Sequence, residues 1–434
     1  MQKKLVWIAL YHTVVNWMKS MTLRINSITL YGLFLVLFGL NTFVLEWPIL
    51  GSILLIFYLA LFGNLLGNVL KKDAPFPDRW WIGLWSLLSL LLIVLTTTYY
   101  LAFIPKWIFQ GIALVPPLFF CLHKYTQCFT YSTDQIDWRT GIKKIQMVSK
   151  HVWIAVACTL LSVSVYFHYT LLHPITDAVR SPFERVPVSL IVFVALSISL
   201  IFPLLYRGRE HILSIALFVI LCFSFFSFTA IVFPIGYGFD SFIHKATESH
   251  LAEFGTITPK PFYYIGQYVL VLFFSHAFSL PLELVDTFLV PVLAALLIPL
   301  AWYGASVCMI KNPRHALFPL VGLFLLPLDS FIVTTPQSLA NLWIFLTILA
   351  SVHALSIPET TKWFQNLIPI FLGTMSAILI HPIAGIPIFF YTNFLAIPPL
   401  TTKRLLRRLL FWILFLFGTI MLPASFLLNA IKTG

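Results

Sequence analysis

Apolar runs of helix-spanning length follow one another along nearly the whole chain, broken only by short polar breaks. A helix needs roughly 20 apolar residues to cross a bilayer. Runs at 28–45, 49–70, 81–104, 108–122, 152–172, 188–206, 212–235, 285–309, 317–334, 339–355, 367–380, 386–400 and 410–430 meet or approach that length. A water-soluble fold cannot hide so much apolar surface, because only 10% of the residues are charged and 60% are hydrophobic. Soluble domains carry about 25% and about 45–50%. The same balance excludes a disordered chain, a collagen and a coiled coil. The expected fold is all-α: a polytopic integral membrane protein with about thirteen crossings. Residues 4–18 form an amphipathic stretch flanked by lysines, suited to lying on the inner membrane surface. Lys3 and Lys4 are followed by no small-residue cleavage site, so no removable signal peptide is expected.

Basic residues set the sidedness. The chain has 27 Lys and Arg against 15 Asp and Glu, and the basic ones sit in the breaks between apolar runs. Cytoplasmic loops collect Lys and Arg. That explains the net charge of +12 without nucleic acid, which is excluded as a partner. Segment 263–284, YYIGQYVLVLFFSHAFSLPLEL from Tyr263, decides the rest. If it dips in and returns, 21 basic residues lie inside and 6 outside. If it crosses, Lys311, Arg314, Lys362, Lys403, Arg404, Arg407 and Arg408 change side and the bias all but vanishes. The expectation is a re-entrant or interfacial segment, a cytoplasmic N-terminus, an outer C-terminus and a place in the plasma membrane. The loop 123–150 reads as a basic connector touching lipid headgroups. Cys121, Cys128, Cys158, Cys222 and Cys308 form no CxxC pair and read as buried small hydrophobes.

The outer loop 236–262 carries the densest chemistry, GYGFDSFIHKATESHLAEFGTITPKPF. From Phe239 to Phe254 the pattern is helical, and Gly255 suits its C-terminal cap. Asp240, His244 and Glu248 are spaced by four and share one face. Two readings stay open: acid–base work or cation binding at a membrane surface, or an Asp240 N-cap with ordinary exposed pairs.

This loop resembles the first extracytoplasmic loop of the GT-C superfamily of membrane glycosyltransferases, to which protein O-mannosyltransferases and aminoarabinose transferases belong. The likeness rests on Asp240 just after a span, then on Gly255, Ile257, Pro259, Tyr263 and Tyr264 in AEFGTITPKPFYYIGQYVL. It covers roughly 211–430. Residues 1–206 are then expected to form an added membrane module and 207–434 the GT-C-like core. The resemblance implies a polyprenyl-phosphate sugar donor, an acceptor yet to be identified, and Asp240 as the catalytic carboxylate. Asp240, His244 and Glu248 are the catalytic candidates.

Other polar residues fall on the same expected face. Glu283 and Asp286 follow Pro281 and are costly near hydrocarbon unless paired or wet. Together with Asp240 they are candidates for a divalent cation, Mg or Mn, or else acids at a helix start. Asp329 sits deep in an apolar run beside the Thr335-Pro336-Gln337-Ser338 turn. His381 opens HPIAGIP, and Lys260 is among the few outer cations. Lys260, Tyr263, Tyr264, Gln267, Asp329, Gln337 and His381 are therefore the expected substrate-side residues, with Lys260 and His381 facing the donor phosphate. No Walker A, dinucleotide fingerprint, HExxH or GxSxG is present, which argues against ATP-driven and nicotinamide chemistry. A multi-pass transporter or flippase remains the alternative, because acids within spans and broken helices suit that class too.

Overall fold

A computed structural model describes residues 27–71, 74, 76–128, 150–177, 179, 181, 184, 211–325, 328–356 and 360–400, with single positions at 406, 409, 413, 427 and 431. The amphipathic stretch 4–18, the body of the loop 123–150 and the span at 188–206 lie outside the described residues. So does the span at 410–430 apart from isolated positions.

Every described element is helical. In chain order they are α1 (Ser27–Leu40), α2 (Pro48–Leu70), α3 (Phe76–Leu101), α4 (Lys106–Cys128), α5 (Lys150–Leu172), α6 (His211–Phe226) and α7 (Phe228–Val232). Then come α8 (Phe239–Phe254), α9 (Ile265–Phe278), α10 (Leu282–Ile310), α11 (Pro336–Leu355), α12 (Thr360–Ile380) and α13 (Pro382–Leu400). Among the described residues five helices are long and apolar enough to cross a membrane: α2, α3, α5, α10 and α11. Shorter apolar helices surround them. Large apolar side chains such as Ile53, Ile56, Leu161 and Met309 face outward, as surfaces against lipid do. The protein is an all-α membrane protein. The expected total of thirteen crossings is a finer statement than these helices carry.

Two expected spans are built differently. The run 212–235 breaks at Ser227 into α6 and α7. The run 317–334 is no α-helix: it forms 3₁₀ segments His315–Leu325 and Leu328–Phe331. Pro319 inside the first removes a backbone donor and disfavours α-helical continuation.

Helix α9 is the centre of the core. All of its 14 residues except His276 are buried, which is why it reads as apolar on every face. At 1.5 Å per residue it is about 21 Å long, shorter than the roughly 30 Å of hydrocarbon. Around it, α2 and α3 meet backbone to backbone. A Cβ on Gly83 would lie 2.1 Å from Gly63 O and 2.3 Å from Gly67 N. The Gly63–Gly67 spacing is the small-xxx-small pattern that brings membrane helices together.

Polar contacts place both ends of the bundle. Buried Glu248 of α8 accepts from Gln267 near the start of α9 and lies close enough to Asp286, near the start of α10, for the two carboxyls to act on each other. Lys245 of α8 pairs with Glu283 at 3.0 Å. Helices α9 and α10 therefore begin at the same end of the bundle. The last turn of α9 meets the α1–α2 turn, where Thr42 Oγ1 donates to Ala277 O at 3.1 Å. Asp286 and Cys308 sit 22 residues apart on α10, about 33 Å, so the Cys308 end is opposite.

Candidate functional site

Helix α8 starts at Gly238, whose φ of 81° turns the chain out of α7, and Asp240 lies exposed in its first turn. It stops at Gly255, φ 68°, whose N–H donates to Leu251 O. A Cβ there would lie 2.3 Å from the Phe103 ring, so the close approach also asks for glycine. The loop beyond is fastened to the end of α3. Tyr100 Oη donates to Pro261 O at 2.7 Å, and Ile257 N donates to Tyr99 Oη at 3.3 Å.

His244 turns inward and contacts the Tyr268 hydroxyl through Nδ1 at 2.7 Å. Its ring meets Tyr264 edge-on with centroids 5.3 Å apart, and Tyr264 packs on His381 at 5.2 Å. Tyr264 N donates to Ile380 O, and Ala384 N donates to His381 Nδ1, which fixes the His381 ring. Burial lowers the pKa of His244, with the nearby Asp240 carboxylate opposing that shift and His381 adding to it. Burial likewise lowers that of His381. Both imidazoles are thus neutral near pH 7, each able to donate one hydrogen bond and accept another. Asp240, His244, Tyr264 and His381, from three distant parts of the chain, meet at this end.

One turn deeper, Gln267 Nε2 donates to Glu248 Oε1 at 2.9 Å. Burial, and then the neighbouring Asp286 carboxylate, push the Glu248 carboxyl well above its usual range. The two neighbouring carboxyls thus disfavour each other's ionisation. Beside the pair lies a cavity of about 190 Å³ lined by Tyr237, Ser241, Lys245, Glu283, Asp286 and Thr334 among others.

Several expected site residues are placed elsewhere. Lys260 Nζ donates to Tyr99 O at 2.8 Å and Tyr100 O at 3.4 Å, capping α3 and leaving the phosphate role without geometric support. Tyr263 stands on the rim, edge-on to Tyr264. Asp329 is exposed and accepts from Ser330 N at 3.0 Å, close enough to Tyr237 to act on it electrostatically. Gln337 is exposed and bonds Asn341, while Thr335 caps α11 by accepting from Ser338 N. The metal expectation does not fit. Among the described residues no three His, Cys, Asp or Glu side chains are arranged to hold an ion. Glu283 is committed to Lys245, and Asp286 to Glu248.

A second polar cluster, absent from the expectations, occupies the opposite end. Buried Asp78, at the start of α3, faces His353 near the end of α11 with Oδ1 3.8 Å from Nε2. His353 Nδ1 lies 3.0 Å from Cys308 Sγ. Lys71 Nζ contacts Asn366 Oδ1, and burial lowers the lysine pKa to about 8 against the pull of Cys308 and Asp78. Cys308 is therefore partly exposed and in contact with an imidazole, not the buried small hydrophobe expected. The available signal was weak: one Asp and one His near the ends of apolar runs. No protein-family model, curated protein or solved structure matches this chain.

Proposed function

We propose that the protein is a GT-C-like membrane glycosyltransferase that moves a sugar from a polyprenyl-phosphate donor to an acceptor on the extracytoplasmic side. The observation that supports this most is the meeting of Asp240 with His244, Tyr264 and His381 at one end of an apolar bundle. Asp240 is exposed and in reach of a ligand at the membrane surface. It takes the proton from the acceptor hydroxyl as that oxygen attacks the anomeric carbon. The sugar–phosphate bond breaks, and the polyprenyl phosphate leaves. The neutral imidazoles of His244 and His381 donate hydrogen bonds toward the phosphate oxygens. Tyr264 holds the two rings apart. The exposed apolar side chains Phe242, Ile243 and Leu284 offer a path for the lipid tail. Glu248, Gln267 and Asp286 fix α8 onto α9 and α10 beneath the reacting groups. No step is assigned to a metal ion.

The positive-inside count favours this end as the outer face, with α9 as a segment that does not cross. The test is transfer from a radiolabelled lipid-linked sugar by purified protein in vesicles. Asp240→Asn should abolish transfer and leave the protein folded. Full activity in that variant removes Asp240 from the mechanism.

The buried Glu248–Asp286 pair favours a second reading, a proton-coupled transporter of a small polar or lipid-linked substrate. Substrate uptake into proteoliposomes that depends on Asp286 and not on Asp240 would put this reading first.

A further inference from the structure

The Cys308 end of the bundle holds chemistry that glycosyl transfer leaves unused. Three helices, α3, α10 and α11, bring Asp78, Trp81 and His353 around one point, the Cα of Gly304. A Cβ there would lie 2.3 Å from Asp78 Oδ1, 3.0 Å from Trp81 Nε1 and 3.1 Å from His353 Nε2. Asp78 is 2% exposed, and its Oδ1 has no hydrogen-bond partner within normal distance. It faces His353 Nε2 at 3.8 Å. The other imidazole nitrogen, Nδ1, is 3.0 Å from the Cys308 sulfur. The sulfur lies 3.0 Å from Nδ1 and 3.7 Å from Nε2, beside the imidazole, and the Asp78 carboxyl lies near Nε2, so a thiol, a base and a carboxyl share one cluster, the set of groups that can activate a nucleophilic cysteine. The Asp78–His353 contact is loose, as such contacts commonly are before substrate binds.

The surroundings indicate the electrophile. Cys308 is partly exposed, one turn from the end of α10. Its neighbours Met309 and Ile310 are 72% and 41% exposed, so an acyl chain on Cys308 would continue into the lipid-facing surface. Just beyond, Lys311 and Arg314 are exposed cations, suited to a phosphorylated carrier. We propose that Cys308 is an S-acylation site that takes a long-chain acyl group from an acyl thioester of a phosphorylated thiol carrier. His353 Nδ1 takes the thiol proton, and the sulfur attacks the thioester carbonyl. The bond from that carbonyl to the carrier sulfur breaks. The carrier leaves as a thiol, with its proton returned from His353. One thioester is exchanged for another, so no oxidant or reductant is needed.

The test uses the full chain in lipid nanodiscs with alkyne-tagged palmitoyl-CoA as the probe, with Cys308 kept as the sole cysteine. This protein should acquire one label that hydroxylamine removes. His353→Gln should slow labelling on the order of a hundredfold, the scale of a lost general base, and Asp78→Asn about tenfold. Thermal melting checks that each variant folds, and if His353→Gln does not, Asp78→Asn carries the same test. Failure of the Cys308-only protein to label would overturn the proposal. So would labelling that resists hydroxylamine, or labelling as fast in the His353 and Asp78 variants as in their parent.

Discussion

The two ends of the bundle hold polar clusters of opposite character. At the α8 end, Asp240 of the loop helix is exposed, and His244 of that helix and Tyr264 at the head of α9 are partly so. At the Cys308 end, Asp78 and His353 are 2% and 6% exposed and packed between helices. Water can reach the first cluster, and bulk water is shut out of most of the second. The first therefore suits a polar ligand arriving from solution. The second holds its groups in a low-dielectric setting, where each contact is stronger and each unpaired atom costs more. Position on a membrane helix thus sets the kind of chemistry a carboxyl can do, more than its residue type.

The largest expected effect separates the ends by function. Asp240→Asn should lower glycosyl transfer by about 10²–10⁴-fold, the range for a lost general base, with an unchanged melting temperature. Asp78→Asn should leave transfer within about threefold, and a comparable loss from both would erase the distinction. Gly304→Ala probes the buried end by packing. Its Cβ would lie 2.3 Å from Asp78 Oδ1, and overpacking of this kind costs about 1–3 kcal/mol. Unchanged thermal stability would mean that the Asp78–His353 contact yields easily.

The Glu248–Asp286 pair makes the α8 end sensitive to pH. Below the ordinary Glu value of 4.5 the Glu248 carboxyl is neutral whether the chain is folded or unfolded. Above it the unfolded chain gives up the proton and the folded protein retains it. Stability should fall as pH rises from 4.5 toward the raised folded value, by at most about 1.4 kcal/mol per pH unit for one proton. Glu248→Gln should flatten that slope in melting curves at a series of pH values. The smallest effect is expected at Lys260. Its charge caps α3, so Lys260→Met should cost about 0.3–1 kcal/mol of stability with transfer within about twofold. A large loss of transfer without a change in melting would return Lys260 to the donor phosphate.

The helix α8 was legible because its residues are close in the chain. Asp240, His244 and Glu248 repeat every four positions, and Gly255 marks where the helix must stop. Even there the spacing misjudged depth. It put Glu248 on the same exposed face as Asp240, whereas the face tilts into the bundle and Glu248 is fully buried. Lys260 was misread because a sequence does not show which carbonyls a long side chain will find. The expected Asp240–Glu283–Asp286 cation site finds no geometric support among the described residues, where Glu283 pairs with Lys245 and Asp286 lies against Glu248.

By itself, the sequence determined that this chain is a bundle of apolar helices in a membrane, because hydrocarbon admits few polar groups and each helix must bond its own backbone. It also determined where α8 begins and ends, since caps and four-residue spacing are local. Only the tertiary structure decided that Asp78, Cys308 and His353 belong together, for they are brought into contact from α3, α10 and α11. The reason is that helix period says which residues share a face, while the partner of that face depends on how whole helices cross. Those crossings are set by contacts such as Gly83 against Gly63 and Gly67, which no local pattern states.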